Sequence, residues 1–438
     1  MKKQTVYLLS LGCAKNTVDS EMMLGLLNKT DFTITDDPAQ AEIIIVNTCG
    51  FIQSAQEETI TAILELAIYK DPTLGACHSL FAVGCMAEKF GDEMLSALPE
   101  LDGVMGSSDY TQIINLVAKS TAQNMLQNPY LERILPPNTA TAYIKIAEGC
   151  DNNCSYCLIP KLRGPYRSRP MAEIISEAEN LAKRGIKELI LIAQDTTNYG
   201  HDIYGRNMLS KLLTALADLP FPWLRILYTY PERIDEELLA VMATKPNICH
   251  YLDMPIQHTS DEILAAMNRK GSAKDLQKKI ALIREYLPDI ALRTTMIVGF
   301  PGETEAHIEA MCDFLLENQF DWLGAFAYSA QEDTVAATLP DQIDEAEKEE
   351  RLDRLLRLAA HITANRNQRH MGKAIDVLVE ADAAEERGEG WYRGRSSFQA
   401  PEIDGVVYFH SPTLLNLGEM IKIHVTDCEV YDLIGEII

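Results

Sequence analysis

Short apolar runs alternate with amphipathic stretches over the first 125 residues. The apolar runs cover residues 6–11, 43–46 and 80–83, and at this length they are typical of buried strands. Patterns with helical spacing follow near residues 18–27, 52–69 and 87–98, and Asn16 or Thr17 is the expected N-cap of the first helix. The alternation predicts a parallel α/β sheet with helices on its faces.

Six further strand-like runs begin near Thr141, and helical stretches separate them. They cover residues 143–147, 189–193, 224–228, 251–256, 291–298 and 322–328. Six βα units, without a seventh and an eighth, predict an open partial (β/α)6 barrel rather than a closed one. The stretch before them, residues 126–138, contains Asn128-Pro129 and Pro136-Pro137 and is predicted to be a linker.

A charged helical stretch, residues 344–369, leads to a tail with a different pattern. Short β-type runs at residues 375–379, 406–409 and 421–425 are separated by glycine-bearing turns, which predicts a small antiparallel β-barrel. The expected organisation is an N-terminal α/β domain over residues 1–125, the linker over 126–138, a central domain over 139–370 and the barrel over 371–438.

The chain has 438 residues, of which 47% are hydrophobic and 24% charged, as in ordinary globular proteins. No apolar run approaches the roughly 20 residues that cross a bilayer, and no secretory cleavage signal is visible. The ten cysteines therefore indicate reduced thiols and metal binding in a cytoplasmic protein. The net charge of −25 argues against free nucleic acid as the main partner and favours a basic protein.

Cys150, Cys154 and Cys157, called the barrel cysteines below, form the pattern CxxxCxxC after the first strand of the central domain. Three thiolates at this spacing can bind three corners of a cubane iron–sulfur cluster and leave the fourth iron open to a small molecule. The alternative is a structural zinc site, which needs four ligands where this segment supplies three. We therefore expect a catalytic cluster, at the strand ends where α/β folds bind ligands.

Cys13, Cys49 and Cys85, called the sheet cysteines, are distant in sequence but share a setting. Each follows a predicted strand and precedes a predicted helix, so the three thiols should emerge at one edge of the sheet, where helix N-termini favour thiolates. A second three-cysteine cluster is the prediction, and three buried core cysteines are the alternative. Cys77 is close enough to Cys85 in sequence to be a rival ligand. The remaining cysteines lack this pattern: Cys249, Cys312 and Cys428.

The CxxxCxxC pattern matches the signature of radical S-adenosylmethionine (SAM) enzymes, and three longer stretches extend the resemblance. Residues 10–21 (SLGCAKNTVDSE), 47–52 (NTCGFI) and 154–160 (CSYCLIP) resemble the methylthiotransferase family of these enzymes, and its RimO branch most of all. The likeness covers essentially the whole chain. The three predicted domains correspond to the family's N-terminal cluster domain, its radical SAM domain and its TRAM domain.

This resemblance implies two [4Fe–4S] clusters, a catalytic one on the barrel cysteines and a second on the sheet cysteines, with SAM as radical source and methyl donor. The RimO branch places a methylthio group on the β-carbon of an aspartate in a small-subunit ribosomal protein. Methylthiolation of a tRNA adenosine is the alternative within the family, and a non-catalytic two-cluster electron carrier is the alternative outside it. The residues expected to contact SAM lie in or at the ends of barrel strands: Gln194, Gln257, Arg293 and Gly299.

Charge bears on the choice of partner. From Gly372 to Ile438 the chain has five Lys or Arg and thirteen Asp or Glu, a net charge of −8. A barrel that grips tRNA should be basic, so the acidic tail favours a basic ribosomal protein. An electron donor such as flavodoxin or ferredoxin is the second expected partner. Arg163, Arg167 and Arg169 form a cationic loop that is expected to attract a carboxylate of SAM or of the target aspartate, and pairing with the protein's own acidic side chains is the alternative.

Overall fold

The computed structural model describes residues 3–107, 110–118 and 128–438. The N-terminal elements are, in chain order, β1 (Gln4–Ser10), α1 (Ala14–Asn28), β2 (Phe32–Ile34), β3 (Ile43–Thr48), α2 (Gln53–Ala67), β4 (Ser79–Gly84), α3 (Cys85–Ala97), β5 (Gly103–Met105) and α4 (Ile113–Ala118). The strands form one parallel sheet in the order β2-β1-β3-β4-β5. Helices α1 and α4 pack on one face and α2 and α3 on the other, so the central strand β3 is buried along its whole length.

The predicted N-terminal sheet is confirmed, with differences at its edges. Helix α1 begins at Ala14 with Cys13 as its N-cap residue, not Asn16 or Thr17. The Asn16 amide is used differently, because it donates to the carbonyl oxygens of Leu11 and Thr48 and ties the ends of β1 and β3 together. Strands β2 and β5 were not predicted. Each has three residues, which is too short to show an alternating pattern.

The central domain contains six parallel strands that follow one another in chain order. Its elements are β6 (Thr141–Lys145), β7 (Ala147–Glu148), α5 (Ile159–Arg163), β8 (Arg167–Ser168), α6 (Met171–Lys183), β9 (Glu188–Ile192), α7 (His201–Tyr204), α8 (Leu209–Ala217), β10 (Trp223–Ile226), α9 (Glu236–Thr244), β11 (Tyr251–Asp253), α10 (Asp261–Ala266), α11 (Ala273–Tyr286), β12 (Ala291–Val298), α12 (Glu305–Asn318), β13 (Trp322–Ala327) and α13 (Glu345–Asn367). Strands β6, β9 and β10 form one sheet and β11, β12 and β13 another, and an isolated parallel bridge joins Leu224 of β10 to Ile248, which precedes β11. Among the described strands β13 does not pair with β6, so the barrel is open, as predicted.

A closed five-stranded barrel forms the C-terminal domain. Its elements are β14 (Ala374–Asp382), α14 (Ala384–Arg387), β15 (Trp391–Ser396), β16 (Val407–His410), β17 (Met420–Cys428) and β18 (Leu433–Ile437). The strand order is β14-β15-β16-β18-β17, and every pair is antiparallel except β16 with β18, which is parallel. The small barrel was predicted, whereas the parallel pair was not.

The interior of the open barrel is covered from two directions. Ala14 and Val18 of α1 and Leu378 and Ala400 of the C-terminal barrel belong to the same apolar cluster as barrel-strand residues such as Tyr251. A buried ion-pair group strengthens the C-terminal contact, because Glu188 of β9 accepts from Arg225 at 2.7 Å and from Arg395 of β15 at 2.6 Å. The three domains therefore pack as one body around the central strands.

The predicted linker is packed against both neighbouring domains where the structure describes it. Arg133 is fully buried; its guanidinium lies 3.0 Å from Glu177 of α6 and 3.5 Å from Glu21 of α1, and it donates to the carbonyl oxygen of Tyr143 at 2.6 Å. Gly25 leaves room for this segment, since a β-carbon there would lie 2.2 Å from the Glu132 carbonyl oxygen. Residues 126 and 127 of the predicted linker lie outside the described residues.

Helix lengths also bear on membrane insertion. Within the described ranges, no helix combines the length and the apolar character that a bilayer span requires.

Candidate active site

The barrel cysteines lie in the loop that follows β7, at the carboxyl end of the first barrel strand. All three are free thiols, and each sulfur has a polar neighbour. The Asn152 side-chain amide donates to Cys150 at 3.4 Å, the Tyr230 hydroxyl lies 2.9 Å from Cys154, and the Ile159 backbone amide donates to Cys157 at 3.4 Å. Such contacts to thiolate sulfur are what tune and orient metal ligands.

The three barrel thiols influence one another electrostatically. Burial raises the pKa of Cys157 to about 12, and the nearby thiols of Cys154 and Cys150 raise it further. Burial also raises the pKa of Cys150, with Cys154 again contributing. The raised pKa values of Cys150 and Cys157 are what a bound iron centre would offset, because its positive charge favours the thiolate form of its ligands.

The sheet cysteines converge as predicted from their strand-end positions. Cys13 caps α1, Cys49 follows β3 and Cys85 begins α3. Gly12 has a positive φ of 87°, and a β-carbon there would lie 2.8 Å from that of Cys49, so the backbone approach needs glycine. Burial raises the pKa of Cys85 to about 11, and the thiols of Cys13 and Cys49 both add to this effect while Arg163 opposes it.

Cys77 does not join this group. It precedes β4, whereas Cys85 follows that strand, and six residues of strand span about 20 Å. Its thiol instead donates to the carbonyl oxygen of Ser79 within an apolar cluster. Cys249 is buried in the barrel interior, Cys312 lies on α12 and Cys428 lies at the end of β17, so none of them adjoins the sheet cysteines.

In the described part of the chain, no three His, Cys, Asp or Glu side chains are grouped so that they could hold one metal ion.

Arg163, the last residue of α5, connects the two cysteine sets. It is 4% exposed, and its Nε donates to the Cys85 sulfur at 3.3 Å. One terminal nitrogen donates to Asp19 at 2.8 Å and lies 3.4 Å from Glu148, two residues before Cys150. Because α5 begins two residues after Cys157, the loop of the barrel cysteines is fixed directly to the sheet cysteines.

Lys145 and Asp19 complete this buried network. The Lys145 ammonium pairs with Asp19 and lies 2.6 Å from Glu148. Although burial opposes ionisation, Lys145 and Arg163 lower the pKa of Glu148 to about 2. Two cations and two carboxylates thus satisfy one another at the junction between α1, β6 and α5.

The cationic loop predicted at residues 163–169 is mostly structural, which corrects the expectation that it attracts a substrate or SAM carboxylate. Arg163 is held by Asp19, and Arg169 donates to Glu177 at 2.7 Å and packs over the ring of Tyr130. Arg167 is exposed and donates to the Arg163 carbonyl oxygen. Sequence proximity grouped three arginines whose side chains have different surroundings in the fold.

The four residues predicted to contact SAM have unlike surroundings. Gln194, which follows β9, donates to Glu148 at 2.6 Å, and its side-chain oxygen is buried without a hydrogen-bond partner. Gln257 has a φ of 68°, a left-handed conformation of the kind that clusters at functional sites. Arg293 is held 3.0 Å from Asp253, and Gly299 has a φ of 71° and donates its amide to Glu303. Their role in SAM binding stays a prediction.

Lys15 is a site residue that the sequence reasoning did not single out. It lies in the first turn of α1, two residues after Cys13, and is 7% exposed. Its ammonium lies 2.9 Å from the centre of the Tyr228 ring, at the carboxyl end of β10. Burial lowers the pKa of Lys15 to about 8, against the opposing effects of Cys13 and Asp253. Its spacing from Cys13 was the available signal.

Family models match all three domains. The uncharacterized protein family UPF0004 matches residues 5–106, the radical SAM superfamily residues 144–315 and the TRAM domain residues 371–438. Among solved structures, the radical SAM methyltransferase TsrM of Kitasatospora setae has a TM-score of 0.54 at 15% identity over 75% of each chain. The cobalamin-dependent radical SAM enzyme OxsB has a TM-score of 0.52 at 11% identity, covering 82% of this chain and 56% of its own. At these identities the likeness shows the fold.

Curated relatives match over the full length. The chain is 44% identical to the ribosomal protein uS12 methylthiotransferase RimO of Desulforamulus reducens over 99% of both chains. It is 46% identical to that of Acetivibrio thermocellus over 100% of this chain and 99% of the relative, and 45% identical to that of Clostridioides difficile over 98% of both. Because these relatives match at 44–46% identity over nearly the full length of both chains, the chain belongs to the RimO family of radical SAM methylthiotransferases.

Proposed function

We propose that this enzyme adds a methylthio group to the β-carbon of an aspartate in ribosomal protein uS12, with one [4Fe–4S] cluster on the barrel cysteines and a second on the sheet cysteines. The relatives named above carry uS12 in their names. The observation on which the proposal rests most is the placement of the two thiol sets, which α5 and Arg163 join across one domain junction. A radical formed at one site and a sulfur donor at the other have to reach the same carbon.

The residues present fit two clusters. Each set offers three free cysteines, and N–H donors point at sulfur in both, from Asn152 and Ile159 in one and from Arg163 in the other. When bound, a cluster and SAM supply the one-electron chemistry that activates an aliphatic C–H bond, which no amino-acid side chain can do. The chain's own part is to hold the irons, to orient the ligand sulfurs and to keep water away from the junction.

SAM requires polar groups beside the barrel cysteines. The unpartnered oxygen of Gln194 is the strongest candidate, since a buried acceptor without a donor is costly and SAM carries an ammonium group. Gln257 is a second candidate, and it forms a parallel β-bridge with Met296 of the barrel strand β12. Arg293 and Gly299 are weaker candidates, because Asp253 and Glu303 already occupy their polar groups.

The acidic C-terminal barrel suits a basic ribosomal protein. Its carboxylates carry the net charge of −8, and complementary charge speeds and orients encounter with a basic partner. A flavodoxin or ferredoxin is proposed as the electron donor.

Product analysis tests the proposal. Anaerobically reconstituted enzyme is incubated with SAM, reductant and either uS12 or bulk tRNA, and the products are weighed by mass spectrometry. A methylthio gain on an aspartate of uS12 is expected. A gain on tRNA alone would contradict the proposed substrate, and the absence of both a product and 5′-deoxyadenosine would contradict the proposed chemistry.

A further inference from the structure

Lys15 differs from three other buried cations of the site. Lys145, Arg163 and Arg169 each lie within 3 Å of at least one carboxylate oxygen. Lys15 takes part in no ion pair or hydrogen bond recorded among the described residues, although it is 7% exposed in a protein of net charge −25. A buried ammonium without a carboxylate costs several kcal/mol, so its retention calls for a partner from outside the chain.

Lys15 lies between the sheet cysteines and the barrel cysteines. The backbone of Lys15 is tied to the sheet cysteines, because Cys13 is the N-cap residue of α1 and Lys15 lies in the first turn of that helix. Its ammonium reaches Tyr228, whose carbonyl oxygen accepts from the Thr196 amide. The residue before Thr196, Asp195, is bonded to Asn152, which in turn donates to the barrel cysteine Cys150.

The residues around the Lys15 ammonium are themselves held in place by other contacts. Tyr228 has a φ of 60°, a left-handed conformation that a bulky residue adopts only when its neighbours enforce it. Its amide donates to Asp253 at 3.0 Å, and Arg293 pairs with the other oxygen of that carboxylate. Glu148 is likewise occupied, by Lys145 and Gln194. Besides the Cys13 thiol, the acidic groups that act on Lys15 are therefore two carboxylates that already have other partners.

We propose that Lys15 binds the side-chain carboxylate of the substrate aspartate and so selects this residue and holds its β-carbon between the two cysteine sets. This inference rests on the proposed function and adds to it the residue that distinguishes aspartate from neutral side chains. A carboxylate one bond from the reacting carbon is the chemical feature that separates the target from other aliphatic positions. Burial beside the aromatic ring of Tyr228 excludes water from the ion pair between the Lys15 ammonium and the carboxylate, and this strengthens the pair.

Equilibrium binding tests the proposal without depending on turnover. The affinity of anaerobically purified enzyme for labelled uS12, and for uS12 with its target aspartate changed to asparagine, is measured by fluorescence anisotropy. Wild type should bind the asparagine form about tenfold more weakly, because a charge-assisted hydrogen bond is roughly twice as strong as a neutral one. Lys15→Met should bind both forms equally, Lys15→Arg should keep a preference for aspartate, and the exposed control Lys211→Met should match wild type.

Thermal unfolding separates this role from a structural one. Because Lys15→Met removes an unpaired buried charge, its melting temperature should equal or exceed that of wild type. If Lys15→Met had a lowered melting temperature but still preferred the aspartate form of uS12 over the asparagine form, the proposal would be overturned and Lys15 would be a packing residue on Tyr228. Equal binding of both uS12 forms by a wild type that still modifies uS12 would overturn the Lys15 assignment alone. A wild type that neither binds nor modifies uS12 would remove the proposed function as well.

Discussion

Replacing Arg163 with methionine tests whether one side chain holds the two cysteine sets together. The variant keeps the apolar stem but loses the donor to Cys85 and the contacts to Asp19, Asn16 and Glu148. Removing one partner of a buried ion pair costs about 3–5 kcal/mol. Because Lys145 remains beside both Asp19 and Glu148, the expected loss lies near the lower end, about 3 kcal/mol.

Native-state hydrogen exchange is the suitable assay, because a three-domain chain does not unfold in one step. The amides of α1 and α5 should exchange about 150-fold faster in Arg163→Met, which is 3 kcal/mol at 1.4 kcal/mol per tenfold. Amides of the C-terminal barrel, which does not contact Arg163, should keep their wild-type rates. Iron bound at the sheet cysteines should fall, since Cys85 loses its hydrogen-bond donor.

The matched control is Arg167→Met. Arg167 lies four residues away, is exposed, and makes one long hydrogen bond to a carbonyl oxygen, so this variant should change exchange by less than about twofold. If Arg163→Met exchanged at wild-type rates in α1 and α5, the buried network would not be what joins the domains, and the reasoning from it would be refuted.

Three further predictions concern domain docking and the division of labour between the cysteine sets. Arg395→Met should weaken docking of the C-terminal barrel by about 3–5 kcal/mol, because Glu188 stays buried with one cation instead of two; faster proteolysis near residue 372 would report it. Burial raises the pKa of Asp404 to about 6, so the stability that its protonated form contributes is fully present below about pH 4 and is lost as pH rises through 6, a change of about 3 kcal/mol. The Asp404→Asn variant should lose this slope in urea titrations. Cys150→Ala should abolish SAM cleavage, whereas Cys49→Ala should retain cleavage and lose sulfur transfer.

Each of these has a clear contrary result. Unchanged proteolysis of Arg395→Met would mean that apolar packing alone docks the barrel. An equal slope between pH 4 and 6 in wild type and Asp404→Asn would assign the titration to another group. Normal product yield from both cysteine variants would show that the thiol sets are not the reactive centres.

The sequence was sufficient for the fold and for the positions of the cysteines. Strand-end placement predicted that Cys13, Cys49 and Cys85 meet, because parallel strands deliver their carboxyl ends to one edge. The sequence left Cys77 open as a rival ligand although it precedes its strand, and the structure places its thiol in an apolar cluster, where it donates to the carbonyl oxygen of Ser79.

The side-chain network could not be read from sequence, because its partners are far apart in the chain. Arg163 and Asp19 are separated by 144 residues, and only the domain packing brings them together. Three neighbouring arginines looked alike in a linear pattern, yet the fold buries Arg163 and Arg169 with different carboxylates and leaves Arg167 outside. Lys15 was not singled out from the sequence, because what distinguishes it is that its ammonium has no carboxylate partner among the described residues, and only the folded structure shows this.

The proposed function requires that the chain hold two iron–sulfur clusters, each on three cysteines. Iron and sulfide content with Mössbauer spectra measures it most directly, for anaerobically purified wild type and for variants with all three barrel cysteines or all three sheet cysteines changed to alanine. The account predicts about eight iron atoms per chain in wild type and about four in either variant, with cubane spectra throughout. Bound zinc, or one variant that holds no iron while the other matches wild type, would contradict it.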